Sequence, residues 1–541
     1  PPWNIYQDKI KAVTIKEGVT HIGAGAFKNC TKLKNVDFAE VTSIGLGNEV
    51  FKGCSSLATF DFAKVKEIGN NCFEGCTSLD TIVNYNLTYV PDHCFSDCRA
   101  LTTLPSDNLK TIGEYSFSNT GIVSLKISSS LLNSTAKYGF SNCSELSDVK
   151  IICTGTENLT ISEGLFSNCG KLSVFDNSHM NVQIIGDRAF YGCSSLTEFD
   201  FGSILSYVGS YAFANSGVHD IEIVTNSPLS IGILAFSRMA NLQSLQIGGG
   251  SGARVIIGNG VAMYSGLSEI KISNAEIGQL CFAECDNLLT VSLDNVLTIG
   301  SKAFENCITL REISLPSSVQ DLQPDAFIGC SNLSSILIDE DNPEYSVRNG
   351  LVFLNDTCLY LVPPGATDIY LDAETLELYG FNDKNHWEEV NVLALATKLK
   401  TISVAEDNPH FYIISNNLCT TIGDEKTLIF VPPSNESVTI SGINRILGNS
   451  ITGSTITSIH ICASKITLDP QALCGCDSTK EVYVYAEEII LLSGSLPYLQ
   501  TVPVGGVDQL IGTHLSKLSI NTDVLQVDYR CIISADHVVI D

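Results

Sequence analysis

Only 2 tryptophans and 3 methionines occur among 541 residues, and Lys plus Arg number 31 against 59 Asp plus Glu. The shortage of basic side chains leaves a formal charge of −28, which repels phosphate backbones and anionic headgroups, so neither nucleic acid nor an acidic lipid surface is expected as a partner. No apolar run approaches the roughly 18 residues of a helical membrane span, and no membrane insertion is expected. The 9 histidines are scattered. Neither His-Glu-x-x-His nor Gly-x-Ser-x-Gly occurs, so the reading is of a non-enzyme without metal or cofactor. The chain opens at Pro1-Pro2-Trp3 without a basic or apolar leader and closes on the strand-like Val538-Val539-Ile540-Asp541, which sets the expectation of a piece cut from a longer precursor.

What is present is repetition. A chain of 541 residues suggests three or four domains unless it repeats, because one globular core stops growing near roughly 250–300 residues. Phenylalanines stand at 27, 51, 73, 95, 117, 140, 166, 190, 213 and 236, then at 282, 304 and 327, with the missing step at the degenerate Gly260-Val261-Ala262-Met263-Tyr264. Around each runs an order that begins Ile22-Gly23, Phe27, Cys30, Leu33, Val36, Phe38 and is still legible at Ile299-Gly300, Phe304, Cys307, Leu310, Ile313, Leu315. The alternation in Val36-Asp37-Phe38, Phe60-Asp61-Phe62, Phe199-Asp200-Phe201 and Ile221-Glu222-Ile223 predicts one short strand per unit. The Phe-x-x-Cys-x-x-Leu spacing predicts a helical or 3₁₀ turn, and the Gly after Ile a tight bend. A unit of 22 to 26 residues cannot bury its own Phe, Leu and Ile, so the units must stack as coils, their strands forming a parallel sheet.

These residues resemble the BspA-like leucine-rich repeats, whose Ile-Gly, Ala-Phe, x-x-Cys, x-x-Leu, x-x-Ile-x-Leu-Pro pattern is met almost position for position from Ile299 to Pro316. The resemblance implies an α/β leucine-rich-repeat solenoid, right-handed and curved, with one strand per coil and helical or 3₁₀ turns opposite. It also implies a secreted or surface-displayed protein used in adhesion or partner binding. Three regions are expected: about fourteen regular coils over 1–338, irregular repeats with two inserted hairpins over 339–440, and degenerate repeats ending in a cap or truncation over 441–541. The hairpins are placed by Glu340-Asp341-Asn342-Pro343 and its echo Glu406-Asp407-Asn408-Pro409, each followed by an Asn-rich turn and a double proline.

Twenty cysteines suggest disulfides or zinc, but Cys30, Cys54, Cys76, Cys98, Cys143, Cys169, Cys193, Cys285, Cys307, Cys330 and Cys476 fill one repeat slot. In-register side chains point in parallel, whereas a disulfide needs them to converge, so a ladder of buried thiols is predicted. Cys153, Cys358, Cys419, Cys462, Cys474 and Cys531 fall outside the repeat slots.

The exposed strand positions are the informative surface. Asp176, Asp200 and Glu222 in one column, with Glu198 and Asp220 beside them, are predicted to lie together, since adjacent strands stand roughly 4.8 Å apart. The bland account is a solvated face on an acidic protein. The functional one is a binding site for a macromolecular partner: a protein, basic or of the extracellular matrix, ahead of a glycan, with a divalent cation as a further reading. A glycosidase pair at Asp200 and Glu222 is disfavoured because a flat sheet offers no water-excluding pocket. The alternative function is a cytoplasmic scaffold or a glycan-binding surface protein.

Overall fold

The computed structural model describes residues 1–490 apart from 39, 105–107, 153–157, 178–179, 251–252, 382–390, 434–435, 452–454, 470–471, 474–478 and 480, and beyond them the backbone of 491, 499–504, 507–512, 517–521, 524–527 and 538–540. Cys153, Cys474, Cys476 and Cys531 lie outside the described residues. Two compact units are formed: Pro1–Leu288 with Ser292–Ala303, and Leu289–Val291 with Phe304–Asp541. Each is a stack of coils joined by parallel strand pairing.

In the first unit most coils yield two strands where one was expected. The first comes from the alternating segment, as in Ser124–Ser128 paired with Asp148–Ile152 and Val174–Asp176, and in Asp220–Thr225 paired with Ser244–Gly249 and Glu269–Ser273. The second comes from the Ile-Gly step. Leu159–Ile161, Val182–Ile185, Tyr207–Val208, Leu229–Ile231, Val255–Ile257, Ala275–Ile277 and Thr298–Ile299 pair in parallel, one coil after another. The glycine after the Ile is therefore not a bend residue. A Cβ on Gly209 would stand 2.3 Å from the Asp187 backbone nitrogen, one on Gly232 2.6 Å from that of Ser210, and one on Gly186 2.6 Å from that of Glu163. Only a residue without a Cβ lets one coil sit this close on the last.

The Phe segment is neither helical nor 3₁₀. Among the described residues the only α-helix is Ser129–Asn133 and the only 3₁₀ segment is Asn4–Tyr6, so the α/β class is corrected to a solenoid of strands and turns. Backbone hydrogen bonding gives the reason. In the coil of Phe190, the N–H groups of Arg188, Phe190 and Gly192 donate to the carbonyls of Ser210, Ala212 and Ala214 in the next coil, at 2.9, 2.8 and 2.9 Å. His93, Phe95 and Asp97 do the same toward Glu114, Ser116 and Ser118. The residues two before and two after the Phe take the left-handed conformation, with φ of 55° at Arg188, 72° at Gly192, 54° at His93 and 61° at Asp97. This alternation directs every second N–H along the stack, whereas a helix would commit each one four residues back within its own coil.

Phenylalanine rings stack inside this ladder from Trp3 on Phe27 to Phe213 on Phe236, with centroids 5.0 to 5.9 Å apart. Full burial of each ring contributes about 1.5–3 kcal/mol, and an aromatic pair about 0.5–1.5 kcal/mol more. The cysteine ladder is also present, and all sixteen described cysteines are free thiols. They are more than small hydrophobes. Cys54, Cys76, Cys98, Cys143, Cys169 and Cys193 each donate S–H to the carbonyl of the Phe one coil earlier, at 3.1 or 3.2 Å. Burial pushes the thiols of Cys54 and Cys193 up to about 12.

In the second unit the two insertions are three-stranded antiparallel meanders. Tyr345–Arg348, Leu351–Leu354 and Cys358–Leu361 form the first; Phe411–Ile414, Asn417–Ile422 and Glu425–Phe430 form the second. Asn349 and Gly350, both at positive φ, close the first hairpin as an Asn-Gly turn should. Each meander is tied down by one asparagine. Asn342 Nδ2 lies within hydrogen-bond distance of the carbonyls of Pro316, Ser317 and Val319 while its Oδ1 accepts from the N–H of Glu344 and Tyr345. Asn408 makes the matching bonds to Asp372 and Thr375 and from His410 and Phe411. The segment Asp339–Asn342 is thus a structural turn. Beyond it, Ser458–Leu468 and Glu481–Leu491 pair in parallel over most of their length.

Two outcomes follow from this packing. Gly209→Ala is expected to lower stability by about 1–3 kcal/mol, the usual range for an overpacked site. Gly170→Ala, where the nearest atom to a new Cβ is 3.8 Å away, should stay within about 0.5 kcal/mol. Equal urea midpoints for the two variants would refute the close-approach account. The thiols make the second. The folded chain holds their protons more tightly than the unfolded chain, so their contribution is full below the ordinary thiol value of 9.0 and is lost as pH rises from there toward 12. Cys193→Ala should reduce the fall of stability with pH above 9 by about 1.4 kcal/mol per pH unit. Identical slopes in the two proteins would count against it.

Candidate functional site

Strand pairing aligns the predicted columns: Lys126, Lys150 and Asp176 stand side by side in one sheet, and Glu222, Gln246 and Lys271 in another, with Asp220 beside Ser244 and Glu269. Between these two sheets the predicted strand Phe199-Asp200-Phe201 does not form. Asp200 is tied into local contacts here. Its backbone carbonyl accepts from the Asn177 side-chain amide at 2.7 Å, and its carboxylate accepts from the Gly202 N–H at 2.9 Å, which closes a local turn.

The interruption opens a groove of about 740 Å³ in the sheet face, with Glu198, Asp200, Asp220 and Glu222 among its lining residues, together with Phe199 and His219. Four of the five sequence-predicted carboxylates therefore share one concavity, and all four are exposed. The flat face anticipated from the repeat pattern is corrected at this point. Asp176, the fifth, is half-buried on the neighbouring strand and lies 3.8 Å from the Lys150 ammonium. Asp220 accepts from the Ser244 hydroxyl at 2.5 Å.

Phe199 is the residue that sequence reasoning missed. It is half-buried, its ring held by Phe175, Phe190, Phe201 and Phe213 at centroid distances of 5.6, 5.2, 4.9 and 5.0 Å. The alternation placed it inward in a strand and so out of the surface inventory. Among the described residues no group of three or more His, Cys, Asp or Glu side chains is arranged to hold a metal ion, and no helix is long and apolar enough to cross a membrane. The groove's chemistry is that of a dense, solvated set of acceptors around an aromatic ring, suited to cationic groups with an apolar stem.

A solenoid of 22- to 26-residue coils, each carrying Ile-Gly, Phe, Cys and Leu in fixed order, is a leucine-rich repeat protein. The model of the BspA type leucine rich repeat region matches residues 5–106, 83–179, 159–274 and 255–349, more than half of the chain, and the chain belongs to that family. Among solved structures it is similar to a leucine-rich repeat protein from Bacteroides ovatus, at 24% identity over 67% of this chain and 88% of that one, with a TM-score of 0.49. It is also similar to a leucine-rich cell surface protein from Faecalibacterium prausnitzii, at 22% identity over 62% and 81%, TM-score 0.34. The pneumococcal vaccine antigen PcpA is similar at 18% identity over 54% and 80%, TM-score 0.28. No protein of curated function matches the chain.

Proposed function

We propose that the protein is a non-enzymatic binding protein, secreted or displayed at a cell surface, that holds a macromolecular partner by the exposed sheet face of its first unit. The partner is a protein with a basic surface, of the kind found in extracellular matrix, and its contact centre is the groove of Glu198, Asp200, Asp220 and Glu222, with Asp176 at its margin. One observation carries this reading: four carboxylates of two coils line a single groove where the sheet is interrupted. Like charges set this close oppose pairing, and nothing in the packing of the coils calls for them. The open, shallow form of a sheet face suits a protein partner better than a substrate. We also take the coils to be right-handed, the hand that parallel strand connections adopt in nearly all folds, and the regular repeats 1–338, the hairpin-bearing repeats 339–440 and the remainder to be three functional regions.

A second reading, an adhesion-independent scaffold in a reducing compartment, is favoured by one residue. Cys462 is an exposed free thiol, which an oxidising environment tends to consume.

The decisive experiment is capture of immobilised extracellular-matrix proteins by the purified chain, alone and as the Asp200→Lys, Glu222→Lys double variant, at low and high salt. Charge reversal at two exposed positions should leave the thermal transition in place and weaken capture at least about tenfold, a change of about 1.4 kcal/mol. High salt should weaken the unmodified chain in the same direction. Capture that is indifferent to both the substitutions and salt would remove the groove from the mechanism.

A further inference from the structure

A second concavity lies in the second unit, at the base of the second meander. It has a volume of about 430 Å³, within the roughly 300–1,000 Å³ of small-molecule sites, and Glu406, His410, Tyr412 and Thr421 are among its lining residues. Tyr412 is fixed there. Its hydroxyl lies 3.0 Å from the Thr420 carbonyl, to which it donates, and 3.2 Å from the Thr421 hydroxyl. Its ring also packs against the buried cluster that contains Cys419 and Leu428. The ring is thus held in one place, half-buried, at the edge of the cleft, and Glu406 and His410 stand exposed beside it.

The first meander forms without such a ring. Aligned on the shared Asp-Asn-Pro, Ser346 occupies the place of Tyr412, Glu344 that of His410 and Asn355 that of Thr421. Ser346 donates to the Asp356 carboxylate at 2.6 Å, and the same strands pair around it. The asparagine that ties the meander down is common to both copies, so the second copy differs in what it offers a ligand. Beside the buried Phe411 and Thr420, what it offers is the immobile ring of Tyr412, the Glu406 carboxylate, the His410 imidazole and the Thr421 hydroxyl, with no lysine or arginine in the lining. A phosphate or sulfate finds no lysine or arginine there, and a wholly apolar molecule would leave the polar groups without partners. A molecule with hydroxyls around a ring and an apolar C–H face satisfies both, because the C–H face packs on an aromatic ring while a carboxylate accepts from neighbouring hydroxyls.

We infer that the cleft at Glu406, His410, Tyr412 and Thr421 is a binding subsite for a neutral saccharide, separate from the acidic groove of the first unit and independent of it. The test is saturation-transfer NMR on the whole chain with maltose, cellobiose, lactose and chitobiose as probes. Transfer to at least one disaccharide is expected, with loss of that signal in Tyr412→Leu and in Glu406→Gln, and its retention in Tyr412→Phe, which keeps the ring and hence the packing. The Asp200→Lys, Glu222→Lys variant should retain the signal, which separates failure of this site from failure of the groove. No transfer from any probe to the unmodified chain, or equal transfer in the Leu and Gln variants, overturns the assignment.

Discussion

The structure depends on the coil-to-coil ladder through the phenylalanine turn. Three N–H groups per coil, at the Phe and two residues to either side, donate to the next coil, and everything else in the repeat is placed by that geometry. The ladder requires alternation between right- and left-handed backbone, which fixes where residues tolerant of positive φ must stand. It brings successive coils close enough to stack phenylalanine rings 5.0 to 5.9 Å apart. It also places the ladder sulfurs, as at Cys76 and Cys193, against the carbonyl of the preceding Phe. The carbonyl of the residue before each Phe accepts from the Phe N–H of the preceding coil, as Ala189 does from Phe166 and Ala212 from Phe190.

This constraint separates what was legible in the sequence from what was not. Periodicity places the coils, the strand columns and the thiol ladder, because all three depend only on which residues recur at which interval. Handedness within the turn is a matter of φ, and periodicity alone reads Phe-x-x-Cys-x-x-Leu as a helical face. The correcting signal was present two residues after most of the Phe positions, where Asn29, Gly53, Gly75, Asp97, Asn119, Asn142, Asn168, Gly192 and Asn215 all stand at positive φ. Asn, Gly and Asp in a fixed slot indicate left-handed backbone rather than helix. The Ile-Gly step was misread in the same way. Its glycines are required by a neighbouring coil's backbone, and a contact between residues some 22 positions apart leaves no local mark on the chain.

Cysteine in its slot illustrates how the ladder selects chemistry as well as size. Alanine would fit but would give up the S–H to carbonyl bond. Serine is shorter: Ser265 turns back on the carbonyl of Ala262 in its own coil, and Ser216, which replaces cysteine in the coil of Phe213, has a buried hydroxyl without a hydrogen-bond partner. Threonine succeeds by turning inward on its own coil, as Thr120 does with the carbonyl of Phe117 at 2.9 Å. Thiol length, weak polarity and tolerance of an apolar surrounding together account for a preference that composition alone would assign to disulfides.

Both candidate sites occur where a unit departs from its own rule. In a stack stabilised by nearest neighbours, one irregular element costs only the contacts it fails to make with the coils on either side, so departures are tolerated one at a time. At Glu198–Phe201 the strand gives up its pairing, and the carboxylates it carries gain a concavity that a complete sheet would have closed. At the second meander the added strands give a tyrosine ring a second wall. The periodic residues are occupied in holding the coils together, which leaves the aperiodic ones as the part of the chain free to recognise something else. The segment around Asp200 that gives up its pairing, and Tyr412 where the sister copy has Ser346, are therefore the positions whose chemistry bears on binding.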